Sequence, residues 1–206
     1  MLKIFYTECM GYPNRRLENR LAKKYKPVAG VDEAGRGALA GPITAAAVIM
    51  PSKKITGIKD SKLLSPQKRE ELFLLIKKGA IAWSIASISN RQIDKIGINP
   101  ANRLVMQKAI AKLKRKPDYL LLDGNLSIDC PILYQSVING DQKIYCIAAA
   151  SILAKVHRDK LMARYHRQFP LFGFDQNKGY GTKQHIAQIK KIGISRLHRR
   201  SYTRHL

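Results

Sequence analysis

The hydrophobic pattern of the chain changes near residue 27. Between Tyr12 and that point large apolar residues are few and cations are frequent; beyond it, short apolar runs alternate with polar turns. Residues 28–32 and 43–50 are mostly apolar segments of strand length and read as buried strands. Ile81, Trp83 and Ile85 alternate with smaller residues, which predicts a third strand. Residues 119–123 form another short run, closed by an acid, and residues 136–139 are a further strand candidate. Helical spacing occupies the intervals. Ser65 followed by Pro66 reads as an N-cap and first helical residue, and Gly79 as the stop. Asn99-Pro100 opens a helix with Ala101, Leu104, Val105 and Ala109 on one side. Residues 145–167 predict a long helix whose first half is apolar all round and therefore buried. Residues 182–192 predict a last helix, with Gly193 after it. Strands interleaved with helices predict an α/β domain, and three early strands in succession predict a mixed sheet.

Length and charge narrow the picture. The 206 residues suffice for one full core. Residues 1–26 carry seven Lys or Arg and two Glu, and are expected to form a basic arm ahead of a domain spanning 27–206. Lys and Arg number 38 against 14 Asp and Glu, a net charge of +24. Such an excess repels itself unless a polyanion relieves it, so nucleic acid is the expected partner. A ribosomal protein, a nuclease and a membrane-surface binder all satisfy the charge alone. The longest apolar run, residues 38–50, is interrupted by Gly41, Pro42 and Thr44 and is too short to cross a bilayer. Residues 1–11 contain Glu8 and no long apolar stretch, so no signal peptide is expected. Cys9, Cys130 and Cys146 show neither zinc spacing nor a disulfide pattern and read as reduced thiols of a cytoplasmic protein.

In so basic a chain an acid within an apolar segment calls for a reason, because burying an unpaired carboxylate is costly. Asp32-Glu33 and Asp123 each close an apolar strand, at the carboxyl end where open α/β sheets place their ligands. Asp141 follows Asn139-Gly140, just before the buried helix. Acids gathered there suit a divalent cation with oxygen ligands, and phosphodiester hydrolysis is a reaction that such a centre supports. A turn or cap role competes for each acid taken singly. Neighbouring strand residues also point to opposite faces, so Asp32 and Glu33 reach one site only where the strand ends or twists. Asp159, four residues after Lys155, reads as a helix surface pair. Gly35-Arg36-Gly37 reads either as a turn or as a backbone approach to sugar and phosphate with Arg36 as anchor. In residues 178–182 Tyr180 is placed to stack on a base or sugar, while Thr182 fits a helix-entry cap. His198, inside His-Arg-Arg, reads as a phosphate contact or a surface residue.

Taken in order, these segments resemble the type 2 ribonucleases H. The resemblance is carried by residues 31–37 with Leu39-Ala40-Gly41-Pro42, by Asp60-Ser61-Lys62-Leu63 with Ser65, and by Leu122-Asp123-Gly124. It continues through Gly140-Asp141 with residues 147–156 and Arg158-Asp159, residues 178–182 with His185, and His198-Arg199-Arg200-Ser201. It implies a ribonuclease H-like mixed five-stranded sheet with flanking helices and a helical C-terminal part. It implies Asp32, Glu33, Asp123 and Asp141 as catalytic acids holding Mg²⁺ or Mn²⁺. Gly35, Arg36 and Gly37 are implied to read a ribose 2′-hydroxyl, Tyr180 to pack at an RNA–DNA junction, and Lys62 to contact phosphate. The implied substrates are RNA–DNA hybrids and duplex DNA containing ribonucleotides, acted on by a monomer. Ala38, Asn139 and Cys146 depart from the residues usual in that family. The type 3 enzymes, close relatives, lack this Gly-Arg-Gly.

Overall fold

The computed structural model describes residues 12–206. Among them, β1 (Val28–Ala34), β2 (Ile43–Ile49), β3 (Ala82–Ile88), β4 (Tyr119–Asp123) and β5 (Leu133–Val137) form one sheet in the order β3-β2-β1-β4-β5. β1 runs antiparallel to β2 and parallel to β4; β2–β3 is antiparallel and β4–β5 parallel. The helices are α1 (Arg16–Leu21), α2 (Pro66–Gly79), α3 (Asn90–Ile96), α4 (Ile98–Ala111), α5 (Gly140–Lys143), α6 (Tyr145–Gln168), α7 (Phe174–Asn177), α8 (Lys183–Ile192) and α9 (Arg200–Thr203). This is the mixed five-stranded arrangement with flanking helices that the resemblance implies.

The apolar pattern follows from how many faces each strand buries. β2 is buried at every position because α6 covers one face of the sheet and α4 the other. β3 alternates buried and more exposed residues. One core layer joins α6 and α2 to Ala46, Val48 and Leu121; the opposite layer joins α4 to Val31, Ala45, Ala47 and Leu122. Small residues let the central helix approach closely. A Cβ on Gly30 would lie 2.3 Å from the Cys146 carbonyl carbon, so α6 rests directly on the β1 backbone. The predicted caps are present: the Ser65 hydroxyl accepts from Lys68 N, and the Thr182 hydroxyl from His185 N.

Four expectations shift. The strand expected at 136–139 is Leu133–Val137, because Asn139 adopts a left-handed conformation (φ 55°) that ends it. Asparagine tolerates that conformation better than most residues, a local reason for this departure from the family pattern. α3 and α9 were not expected; their apolar faces are too short for a periodic signal. The Asp159–Lys155 pair exists at 2.9 Å, but both side chains are largely covered rather than on the open surface. Of the expected basic arm, residues 1–11 lie outside the described residues. Residues 14–21 pack on the domain: Leu17 and Leu21 touch the α6 core layer. The buried Glu18 carboxylate accepts from Cys146 N at 2.8 Å, capping the start of α6 from a distant part of the chain, while Arg15 Nε bonds its other oxygen at 3.2 Å.

Candidate active site

β1 and β4 pair in parallel register as far as Val31 beside Leu122. One more step of that register sets Asp32 next to Asp123, at the carboxyl ends of two adjacent strands. Beyond β5 the chain turns at Asn139 and enters α5. There Gly140 N (2.6 Å) and Asp141 N (3.4 Å) both donate to Asp123 Oδ1, which brings Asp141 against the strand ends. Carboxylate oxygens of Asp32, Asp123 and Asp141 thereby lie within 4.8 Å of one another. Glu33 is not in this trio. Strand alternation turns Asp32 toward α6 and Ser151, and turns Glu33 toward α4 and Asn102.

The electrostatics favour a bound cation. Burial, reinforced by the charges of Glu33 and Asp123, drives the Asp32 carboxyl well above the usual carboxylate range. Burial and Asp123 push Glu33 up to about 7, against a lowering pull from Arg36. Burial and Asp141 raise Asp123. Like charges held this close with little water retain protons unless positive charge arrives. Lys62 supplies some: its Nζ lies 3.2 Å from Asp141 Oδ2, and its side chain remains 75% exposed. An all-oxygen, buried acid cluster of this kind fits a hard divalent cation rather than zinc or a redox metal.

Beside the acids, Arg36 and Gly37 are exposed and Gly35 is buried. Gly35 has φ 91°, and a Cβ there would fall 1.9 Å from Arg158 Nε. Two guanidiniums with no solvent exposure hold this turn. Arg199 donates to the carbonyls of Gly35 (2.6 Å), Arg36 (2.7 Å) and Gly41 (3.1 Å). Arg158 donates to those of Ala40, Pro42 and Lys178 at 2.9–3.1 Å. Burying an unpaired charge costs several kcal/mol, so three charge-assisted bonds on each guanidinium are what make the arrangement tolerable. Burial lowers Arg199 to about 10, and it stays charged at neutral pH. The Tyr180 loop completes the site. Gly179 O accepts from Leu39 N and Ala40 N, and the Tyr180 ring lies under Arg158 and Lys155.

Of the acids named from the sequence, Asp32, Asp123 and Asp141 meet, while Glu33 lies outside the trio on the Asn102 side, still close enough for the charge of Asp123 to raise it; Lys62 pairs with Asp141, and Tyr180 packs on Arg158 beneath the glycine turn. The sequence reading gave no role to Arg158, Arg199 or Asn102. Asn102 is fully buried without a well-formed hydrogen bond and lies beside Glu33. An amide among Ala101, Val105 and Ala109 on a core-facing helix was the available signal. His198 is a correction: it is 2% exposed and packs against Phe172 and Phe174, so it is neither a surface residue nor a phosphate contact. Among the described residues no helix is long and apolar enough to cross a membrane.

Comparison with known proteins places the chain in a family. The family described as Ribonuclease HII matches residues 29–205. A Ribonuclease HII of Endomicrobium trichonymphae is 48% identical over 183 residues, covering 88% of this chain and 87% of its own length. A Ribonuclease HII 1 of Methylibium petroleiphilum is 50% identical over 176 residues, covering 85% of this chain and 89% of its own. The crystal structure of the ribonuclease H2 from Pyrococcus horikoshii OT3 superposes with a TM-score of 0.73 at 26% identity, covering 85% of this chain and 93% of that one. With the family match spanning most of the chain and relatives near half identical over it, the chain belongs to the ribonuclease HII family of ribonuclease H hydrolases.

Proposed function

We propose that this enzyme hydrolyses the RNA strand of RNA–DNA hybrids and also cuts on the 5′ side of single ribonucleotides embedded in duplex DNA. The observation that carries the proposal is the meeting of Asp32, Asp123 and Asp141 within 4.8 Å beside an exposed Arg36–Gly37 turn. Asp32, Glu33, Asp123 and Asp141 are the residues that would hold Mg²⁺ or Mn²⁺, with Glu33 joining from the other side of the strand end. When bound, such ions supply charge for the phosphate oxygens and an acidified water. Water adds to phosphorus, the bond to the preceding 3′ oxygen breaks, and that oxygen takes a proton. The ends are then a 3′-hydroxyl and a 5′-phosphate on the ribonucleotide.

Ribose selectivity falls to the glycine turn. Arg199 occupies the carbonyls of Gly35 and Arg36, which leaves the N–H groups of Arg36 and Gly37 to meet a 2′-hydroxyl, while the exposed Arg36 guanidinium, one nitrogen of which donates to Asn99 Oδ1 at 2.9 Å, offers its other donors to the phosphate. Tyr180 offers a ring face to the sugar at the junction. Lys62, freed from Asp141 when cations neutralise that acid, turns to a phosphate. The exposed cations Arg16, Arg20, Lys23 and Lys24 on and just after α1 add contacts to the duplex backbone.

The test uses three substrates with Mg²⁺ or Mn²⁺: an RNA–DNA hybrid, a DNA duplex with one internal ribonucleotide, and an all-DNA duplex. The first two are cut and the third is not; equal cutting of all three would replace this proposal with an unselective nuclease. D123N is expected to drop cleavage to background while hybrid binding persists. A folded D123N enzyme that still cuts at the parent rate would remove the metal-centre assignment.

A further inference from the structure

We infer that His185 and His198 form a one-way hydrogen-bond chain that positions the Tyr180 loop for substrate, which makes both histidines positioning residues. The proposal rests on the reading of Tyr180 as a substrate contact.

Both rings are buried, at 1% and 2% exposure, and their Nε2 atoms face each other at 3.0 Å. Two ring nitrogens at that distance share a single proton, and the outer partners decide where it sits. His185 Nδ1 lies 2.8 Å from the Tyr180 carbonyl, which only accepts, so that nitrogen carries the proton and His185 Nε2 is bare. His198 Nδ1 lies 2.9 Å from Ser195 N, which only donates, and 2.9 Å from Ser195 Oγ, which can donate, so His198 Nδ1 is bare and its Nε2 is protonated. Ser195 N–H therefore donates to His198, His198 to His185, and His185 to the Tyr180 carbonyl. One tautomer of each neutral ring satisfies every link. The reverse order leaves a donor facing Ser195 N–H and a bare nitrogen facing the Tyr180 carbonyl.

One end of this chain is the Tyr180 loop, and the other lies in the segment that carries Arg199 to the glycine turn. At one end the Tyr180 peptide is pinned: its carbonyl also accepts from Thr182 N, and its N–H donates to Asn177 O. At the other, His198 forms an isolated bridge with Ala40, and the next residue, Arg199, holds the carbonyls of Gly35 and Arg36. With the Gly179 carbonyl already bonded to Leu39 N and Ala40 N, the chain fixes the orientation of the Tyr180 peptide on that anchor. Phe172 and Phe174 enclose the pair with ring centroids 4.8–6.3 Å away. Apolar residues would fill this aromatic box at less desolvation cost. What the histidines add is direction, because each link accepts one partner in one orientation.

A double-mutant cycle on the single-ribonucleotide duplex separates positioning from packing. In H185Q the amide can still meet His198 but loses the donor to the Tyr180 carbonyl. H185N places an amide nitrogen where Nδ1 was and keeps that donor. H185Q is expected to lose about tenfold in kcat/KM, and H185N to stay within about threefold of the parent. In a Y180A background H185Q should cost under about twofold, because the group it positions is gone. An equal H185Q penalty in both backgrounds, no penalty in the parent, or equal losses for H185Q and H185N would each overturn the inference. If Y180A alone costs nothing, the reading of Tyr180 as a substrate contact fails, and the positioning role fails with it. If Y180A is impaired but H185Q is not, only the histidine chain fails. Should H185Q not fold, H185L removes the same donor to the Tyr180 carbonyl with an apolar side chain suited to the aromatic surroundings and runs through the same cycle.

Discussion

Gly35 and Gly37 flank the same arginine but answer to different constraints. Gly35 is fixed from inside: its positive φ and the guanidinium of Arg158 leave no room for a methyl group. A Cβ on Gly37 would meet nothing within 4 Å of the protein. G35A is therefore expected to lower stability by about 1–3 kcal/mol and to weaken cleavage. G37A is expected to melt with the parent and still lose at least about tenfold in kcat/KM on ribonucleotide substrates, since only a substrate occupies that space. Thermal melts paired with cleavage rates check both. A fully active G37A enzyme would show that no substrate backbone comes close there. Sequence alone gives both glycines the same standing; the difference is steric and comes from Arg158, more than a hundred positions along the chain.

At the scale of elements, the contact of α6 with β1 places the site. α6 lies on the strand that supplies Asp32, carries Ser151 and Arg158 beneath it, and follows directly from the turn that delivers Asp141. Gly30 permits that close approach. G30A would force a methyl group into the Cys146 peptide, and the expected result is a loss of about 1–3 kcal/mol or more, seen as a lower denaturation midpoint at unchanged m-value. An unchanged midpoint would mean that the helix can lift from the strand without cost. The elements with strong local signals were legible: β2 as a mostly apolar segment, α2 and α8 from their caps, and α6 from an apolar first half. α3, α9 and the true bounds of β5 were not, because short or edge elements bury too few residues to leave a period.

Over the whole molecule, a chain of net charge +24 brings three of its acids together at one corner, while most cations among the described residues lie outside the core. Backbone binding by those cations predicts a steep fall of affinity with salt. Replacing Arg16 and Arg20 together by Gln should flatten the log K against log[salt] slope by about 0.9 per lost phosphate contact while cleavage at low salt persists. An unchanged slope would take α1 out of the interface. Removing residues 1–26 is a poorer test, since it also removes Glu18, the cap on α6. By itself the sequence determined the α/β class, the main helices, the strand-end position of the acids and the glycine turn, because burial period, caps and turn residues act over a few neighbouring positions. Only the tertiary structure decided that Asp32, Asp123 and Asp141 form the trio while Glu33 faces the other side. The same holds for Arg158 and Arg199 beneath the turn and for the two histidines that meet nitrogen to nitrogen. Those pairings depend on strand register and on contacts between distant segments, which local patterning does not encode.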